Sequence, residues 1–131
     1  MESNFNFEII SPEKIIFSDS ANMVTLPSFE GEMGILKNHI STIVFLRPGI
    51  IKIKKKDENF ANFFVQDGIV EYFEDSLVVL STSPINVKEI SKDFLDDANK
   101  ETLTKLEDKN ITDQDRYILN HKLETLKEIK I

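Results

Sequence analysis

Every proline of the chain (Pro12, Pro27, Pro48, Pro84) and every glycine (Gly31, Gly34, Gly49, Gly68) lies before residue 85, and so do nine of the ten phenylalanines. Glycine and proline punctuate turns, each through its own backbone restriction or freedom. A segment that mixes them with aromatics breaks into short strands, whereas one without either can run as unbroken helix. The shift falls near Asn86 to Ile90. It divides the chain into a mainly β domain, residues 1–88, and a C-terminal antiparallel helical hairpin, residues 89–131.

In the first region the apolar period is two. Phe5, Phe7 and Ile9 alternate with Asn6 and Glu8, and Ile15 and Phe17 follow a Ser11-Pro12 turn signal. Met23, Val24 and Leu26 precede Pro27 as a further short strand. Ile40 to Leu46 and Ile50 to Ile53 flank the turn Arg47-Pro48-Gly49. Lys54 to Asn59 reads as a charged hairpin tip. Phe63 to Val65, Ile69 to Phe73 and Leu77 to Ser81 are separated by Gln66-Asp67-Gly68 and Glu74-Asp75-Ser76. Turn signals every eight to twelve residues predict a β-sandwich or flattened barrel, with the phenylalanines filling its core.

The second region reads as two helices. Ser91 is the expected N-cap of the first, with Asp93, Asp96 and Asp97 at its positive end. Phe94, Leu95, Ala98, Leu103 and Leu106 form a thin apolar stripe, broken by Asp108-Lys109-Asn110. Thr112 opens the second helix, whose stripe is Ile118, Leu119, Leu123, Leu126 and Ile129. Narrow stripes predict that the helices zip together with little surface left for docking elsewhere.

The segment Leu26 to His39 holds the most specialised backbone. Gly31 and Gly34 lie three apart among Glu30, Glu32 and Met33, which predicts a tight, solvent-facing turn over Glu30 to Gly34. Two acidic side chains would repel phosphate and no Lys-Ser/Thr follows, so this is no nucleotide cradle. A plain structural turn and an acidic protein-contact loop both fit the residues. His39 follows the loop, as a hydrogen-bonded structural residue or an interface residue.

Other chemistry finds little support. Formal net charge is −7, the wrong sign for a nucleic-acid footprint. There is no cysteine, so disulfides and thiolate ligands are excluded and a reducing compartment fits. His39 and His121 are the only histidines. Neither belongs to a short-spaced ligand set, so no metal or cofactor is expected. No Gly-x-Ser-x-Gly elbow or nucleophile–base pair is visible, and no catalytic residue is assigned. Lys54-Lys55-Lys56 stands beside Asp57 and Glu58 as a soluble tip. No apolar run is long enough to span a membrane, and Met1 to Phe7 carries no leader pattern. The expectation is a soluble chain working where it is made.

Four segments in register resemble the epsilon subunit of the F-type ATP synthase. Phe7-Glu8-Ile9-Ile10-Ser11-Pro12-Glu13 resembles that family's opening strand and Ser-Pro-Glu turn, with Ile16-Phe17-Ser18 after it. Glu30-Gly31-Glu32-Met33-Gly34-Ile35-Leu36 resembles its Glu-Gly-(Asp/Glu)-x-Gly-(Ile/Val)-Leu core, followed by His39. Leu46-Arg47-Pro48-Gly49 and Asp67-Gly68-Ile69-Val70-Glu71 resemble two further motifs. Lys37, Asn38 and Asp67 depart from the family's usual Pro, Gly and Gly.

The resemblance implies a non-catalytic subunit of the rotary central stalk, on the cytoplasmic face of a bacterial inner membrane. Its sandwich would hold the gamma subunit and rest on the polar loops of the membrane c-ring, through Glu30, Gly31, Glu32, Met33, Gly34 and His39. In that family the hairpin can fold against the sandwich or extend toward the catalytic alpha and beta subunits and brake hydrolysis. Members that bind ATP resemble (Ile/Leu)-Asp-x-x-Arg-Ala at the start of the first helix. Here Ile90-Ser91-Lys92-Asp93-Phe94-Leu95 lacks both the acidic and the basic residue, so that site is not carried over. A free-standing β-sandwich binding module with a helical tail is the alternative from another class, and a hydrolase a third.

Overall fold

Alternation along each strand sends one set of side chains inward and the other outward, and the inward set here is almost wholly apolar. A computed structural model describes residues 3–130. Among them are nine strands: β1 (Phe5–Ile10), β2 (Ile15–Ser28), β3 (Gly31–Ile35), β4 (Thr42–Leu46), β5 (Gly49–Lys55), β6 (Phe60–Val65), β7 (Gly68–Phe73), β8 (Ser76–Leu80) and β9 (Ile85–Asn86). A 3-10 turn at Val87–Glu89 leads to α1 (Lys92–Leu106) and α2 (Asp113–Glu128).

Strand β2 joins two layers. Its first part pairs antiparallel with β1, as in Phe7↔Asp19 and Ile9↔Phe17. Its second part pairs with β5 and β3, as in Val24↔Ile53 and Leu26↔Met33. The register shifts between Ala21 and Met23, where a bulge bends the strand from one layer to the other. One layer is thus β4-β7-β8-β1 with the start of β2, and the other is β3, the end of β2, β5, β6 and β9. The segments Ile15–Phe17 and Met23–Leu26, expected as separate strands, belong to this one bent strand.

The main core lies between the layers. Phe5, Phe7 and Ile9 meet Val24, Leu26, Ile51, Ile53, Phe63, Val65, Leu77 and Val79, all nearly inaccessible to solvent. Phe7, Phe17 and Phe63 form a chain of tilted rings with centroids 6.0 and 5.3 Å apart. The expectation that the phenylalanines fill this core is corrected, because several lie outside it. Phe45, Phe60 and Phe73 remain 60%, 56% and 55% exposed, because each falls on the outward parity of its strand.

A second, smaller core sits outside the sandwich. Phe63 points inward, so its neighbour Phe64 points out, beside Ile50 and Ile85 across the strand pairs. Ile90, Leu126 and Ile129 cover Phe64, with Phe94, Leu95 and Ala98 at the margin. The two clusters share no residue. Both helix starts follow from the sequence: Ser91 Oγ accepts from Phe94 N–H at 3.1 Å and Thr112 Oγ1 from Asp115 N–H at 3.0 Å. The narrow-stripe expectation is corrected. The last turn of α2 turns Leu126 toward the sheet, so the hairpin is docked as well as zipped.

Candidate functional site

The Glu30–Gly34 segment is a strand entered from a tight turn rather than a loop throughout. Only Phe29 and Glu30 lie between the paired residues Ser28 and Gly31. Gly31 takes φ +127°, with nothing near the position a Cβ would occupy. Backbone conformation, and not crowding, therefore selects glycine here. Ser28 Oγ donates to Gly31 O at 2.6 Å and closes the turn. Glu32, Met33 and Gly34 then pair with Pro27, Leu26 and Thr25. Glu30 and Glu32 are exposed, while Met33 is half-buried against the main core. The Glu32 carboxylate lies 3.6 Å from Lys52 Nζ, both side chains about half exposed (55% and 47%).

His39 is placed apart from this turn. At ~3.3 Å per residue, β3 alone puts about 13 Å between Gly31 and Ile35, and His39 lies beyond its far end. There the β7–β8 turn has Glu74 and Asp75 both at positive φ, the pattern of a two-residue hairpin. Asp75 Oδ1 accepts from Tyr72 Oη at 2.7 Å and from Asn38 N–H at 3.0 Å. The Tyr72 hydroxyl and the Asn38 amide hold the Asp75 carboxyl below its usual range. Burial and then Asp75 push the Tyr72 phenol up. His39 packs edge-on against Tyr72 at 5.7 Å, and its Nδ1 lies 2.8 Å from Ile40 O. The arrangement orders the β3–β4 loop. It presents no nucleophile beside a base, and among the described residues no group of three or more His, Asp or Glu is placed to hold a metal ion.

Two features escaped the sequence reading. The first is an apolar row across the outer face of the β4-β7-β8-β1 layer. Phe45, Ile69, Leu80 and Ile10 are successive cross-strand partners. The first three are 60%, 46% and 51% exposed, and Ile43 beside them is 64% exposed. A groove of about 580 Å³ opens along the row and is bounded by Phe29, Pro48 and Ile118. The signal was available: Ile43-Val44-Phe45-Leu46 is apolar at both parities, the mark of a strand covered on both faces.

The second is the seat of α2 on the turns. Tyr117 Oη donates to Phe29 O at 2.6 Å, and the two rings stack with centroids 5.9 Å apart. His121 meets Tyr117 edge-on at 4.5 Å. Thr125 Oγ1 donates to His121 O at 2.7 Å and lies 3.4 Å from Pro48 O. Gly49 continues this turn, and a Cβ there would collide with the Pro27 ring.

Residues 4–87 match the family model of the ATP synthase delta/epsilon chain β-sandwich domain. The ATP synthase epsilon chain of Pelagibacter ubique (strain HTCC1062) is 43% identical over 130 residues, 98% of this chain and 99% of that one. The chain belongs to the ATP synthase epsilon family. The epsilon chain of Sinorhizobium fredii (strain NBRC 101917 / NGR234) is 33% identical over 106 residues, 81% of this chain and 79% of that one. Among solved structures, a chain of the Euglena gracilis mitochondrial ATP synthase (OSCP/F1/c-ring, rotational state 1) superposes with TM-score 0.78. It is 19% identical and the match covers 97% of this chain and 81% of that one. A chain of the Tetrahymena thermophila mitochondrial ATP synthase central stalk/c-ring gives 0.61 at 16% identity, covering 94% and 93%. These likenesses extend beyond the sandwich to the hairpin. Among the described residues no helix is long and apolar enough to cross a membrane.

Proposed function

We propose that the chain is a non-catalytic subunit of the rotary central stalk, peripheral to the cytoplasmic face of a bacterial inner membrane. In this reading residues 1–88 form the sandwich unit that binds gamma and the c-ring, and residues 89–131 form a movable hairpin able to regulate hydrolysis by the alpha and beta subunits. The observation that carries it is the Phe45–Ile69–Leu80 row. An acidic, soluble-type chain has no internal reason to leave three adjacent large apolar side chains about half exposed or more, and such patches mark protein contacts. The row suits an apolar shaft such as gamma. Glu30, Gly31, Glu32, Met33 and Gly34 form a charged, stiff edge suited to the polar loops of the ring. His39, at the other end of β3, belongs to a separate contact with gamma. The sources of the two solved chains, an OSCP/F1/c-ring assembly and a central stalk/c-ring assembly, support the same partners.

The test is capture of the tagged chain from native membranes. Rotor and catalytic subunits should come with it. Phe45→Thr with Ile69→Thr should weaken gamma binding while keeping the sandwich folded, because both side chains are about half exposed or more and threonine suits a strand. Glu32→Lys should weaken ring retention. Recovery of the full set of subunits by the double variant would remove the assignment of the apolar row.

A further inference from the structure

The hold of α2 on the sandwich has two zones of different chemistry. At its C-terminal end Leu126 and Ile129 are buried on Phe64. Along the helix from Tyr117 to Thr125 the contact is aromatic and polar: Tyr117 on Phe29, His121 on Tyr117, and Thr125 over Pro48. His121 also shares a cleft with Arg47, Lys52, Glu32, Glu124, Thr125 and Glu128. We propose that His121 is the proton-sensitive element of a latch in which Tyr117 pins α2 to the Phe29–Glu30 turn, and that charging His121 releases the hairpin. The proposal concerns contacts within this chain and stands whichever partners the chain meets.

Geometry carries the argument. Arg47 lines the same cleft as His121. Its Nη1 donates to Pro48 O at 2.8 Å, and its Nε is buried without a partner. A charged imidazole would therefore share this cleft with the Arg47 guanidinium. The carboxylates of the cleft give limited relief. Glu32 is engaged by Lys52 at 3.6 Å, and Glu128 lies on the cleft wall. Glu124 favours the charged ring, yet burial first and Arg47 second outweigh it, so the His121 pKa is held below 6.5. A group whose pKa is lowered by docking favours the docked state fully above its free pKa. That contribution is lost as pH falls below about 6.5. His121 adjoins Tyr117, so a helix that leaves the cleft at His121 also carries Tyr117 away from Phe29 O.

The full chain contains no cysteine, so Glu13→Cys and Lys109→Cys give a dye pair on the β1–β2 turn and the interhelix turn. Transfer efficiency is followed from pH 8 to pH 5.5. The parent should show an acid-dependent change in the hairpin distribution. His121→Gln should flatten it and stay docked across the range, and His39→Gln should leave it unaltered. Tyr117→Phe should shift the parent's curve toward the released state at every pH. Far-UV circular dichroism of each variant reports that the sandwich remains folded. An acid response of equal size in His121→Gln, or none in the parent, would overturn the proposal.

Discussion

Replacing Leu126 by alanine should free the hairpin while leaving the sandwich as stable as before. Leu126 is 2% exposed and lies in the outer cluster with Phe64, Ile90 and Ile129. The change removes three carbons, and at about 0.8 kcal/mol per buried methylene the loss is about 2.4 kcal/mol. A residual cavity adds to this, and buried Leu→Ala changes span about 2–5 kcal/mol. At about 1.4 kcal/mol per tenfold, 2.4 kcal/mol is about a 50-fold shift toward the undocked hairpin. The two clusters share no residue, so loss of one leaves the other packed. Amide hydrogen exchange should report lost protection across α2 with β1, β7 and β8 unaffected. Leu77→Ala is the control: Leu77 is 0% exposed in the main core, so this change should lower the unfolding midpoint of the sandwich itself. If Leu126→Ala lowers that midpoint as far as Leu77→Ala does, the clusters unfold as one cooperative unit and the separation is wrong.

Truncation after Lys88 should leave a sandwich that unfolds cooperatively but self-associates, because Phe64, Ile50 and Ile85 lose their cover; sedimentation and thermal unfolding check both halves, and loss of cooperativity would place residues 89–131 in the core. Gly31→Ala should cost about 1–3 kcal/mol through backbone strain at φ +127° with no steric clash, seen as a lower melting temperature. Asp67 gains acid sensitivity from its contacts: burial opposes its charge, but the Thr82 hydroxyl and amide and the Ser81 hydroxyl together lower its pKa below 3.8. Its stabilising effect is present above the unfolded value and lost as pH falls through the lowered one, so Asp67→Asn should flatten the acid limb of stability against pH while lowering stability at neutral pH.

Local rules carried most of the fold. The helix starts at Ser91 and Thr112, the break at Asp108–Asn110, and the parity of Phe5, Phe7 and Ile9 depend on neighbours a few residues away, and each stands as read. The misreadings have non-local causes. Ile15–Phe17 and Met23–Leu26 look like two strands because the bulge at Asn22 interrupts the apolar period, and only pairing with β1 and then β5 shows the chain to be continuous. Strand β3 looks like a loop because its two glycines and Glu32 have poor strand propensity. Pairing with Leu26 and Thr25 overrides that preference.

The surface was less legible than the core, for the same reason. Glu30, Glu32 and Gly31 announced a special turn, but Phe29 gave no sign that its carbonyl would be taken by a tyrosine 88 residues away. This contact changes what the turn can do. A residue that both begins the turn and anchors α2 cannot be displaced at one contact without effect on the other. If a partner seated on Glu30 and Glu32 moves the Phe29 carbonyl, the 2.6 Å hydrogen bond from Tyr117 stretches and the stacked ring pair separates. A hydrogen bond of this kind contributes about 0.5–1.5 kcal/mol, and an aromatic pair about 0.5–1.5 kcal/mol beyond its burial. Their sum is comparable to the contribution of Leu126 alone, so the turn adds measurably to the hold that Leu126 and Ile129 give the hairpin. Linkage is reciprocal: a partner that binds the turn more tightly when α2 is released will itself be bound more tightly by a chain whose Tyr117 contact has been removed.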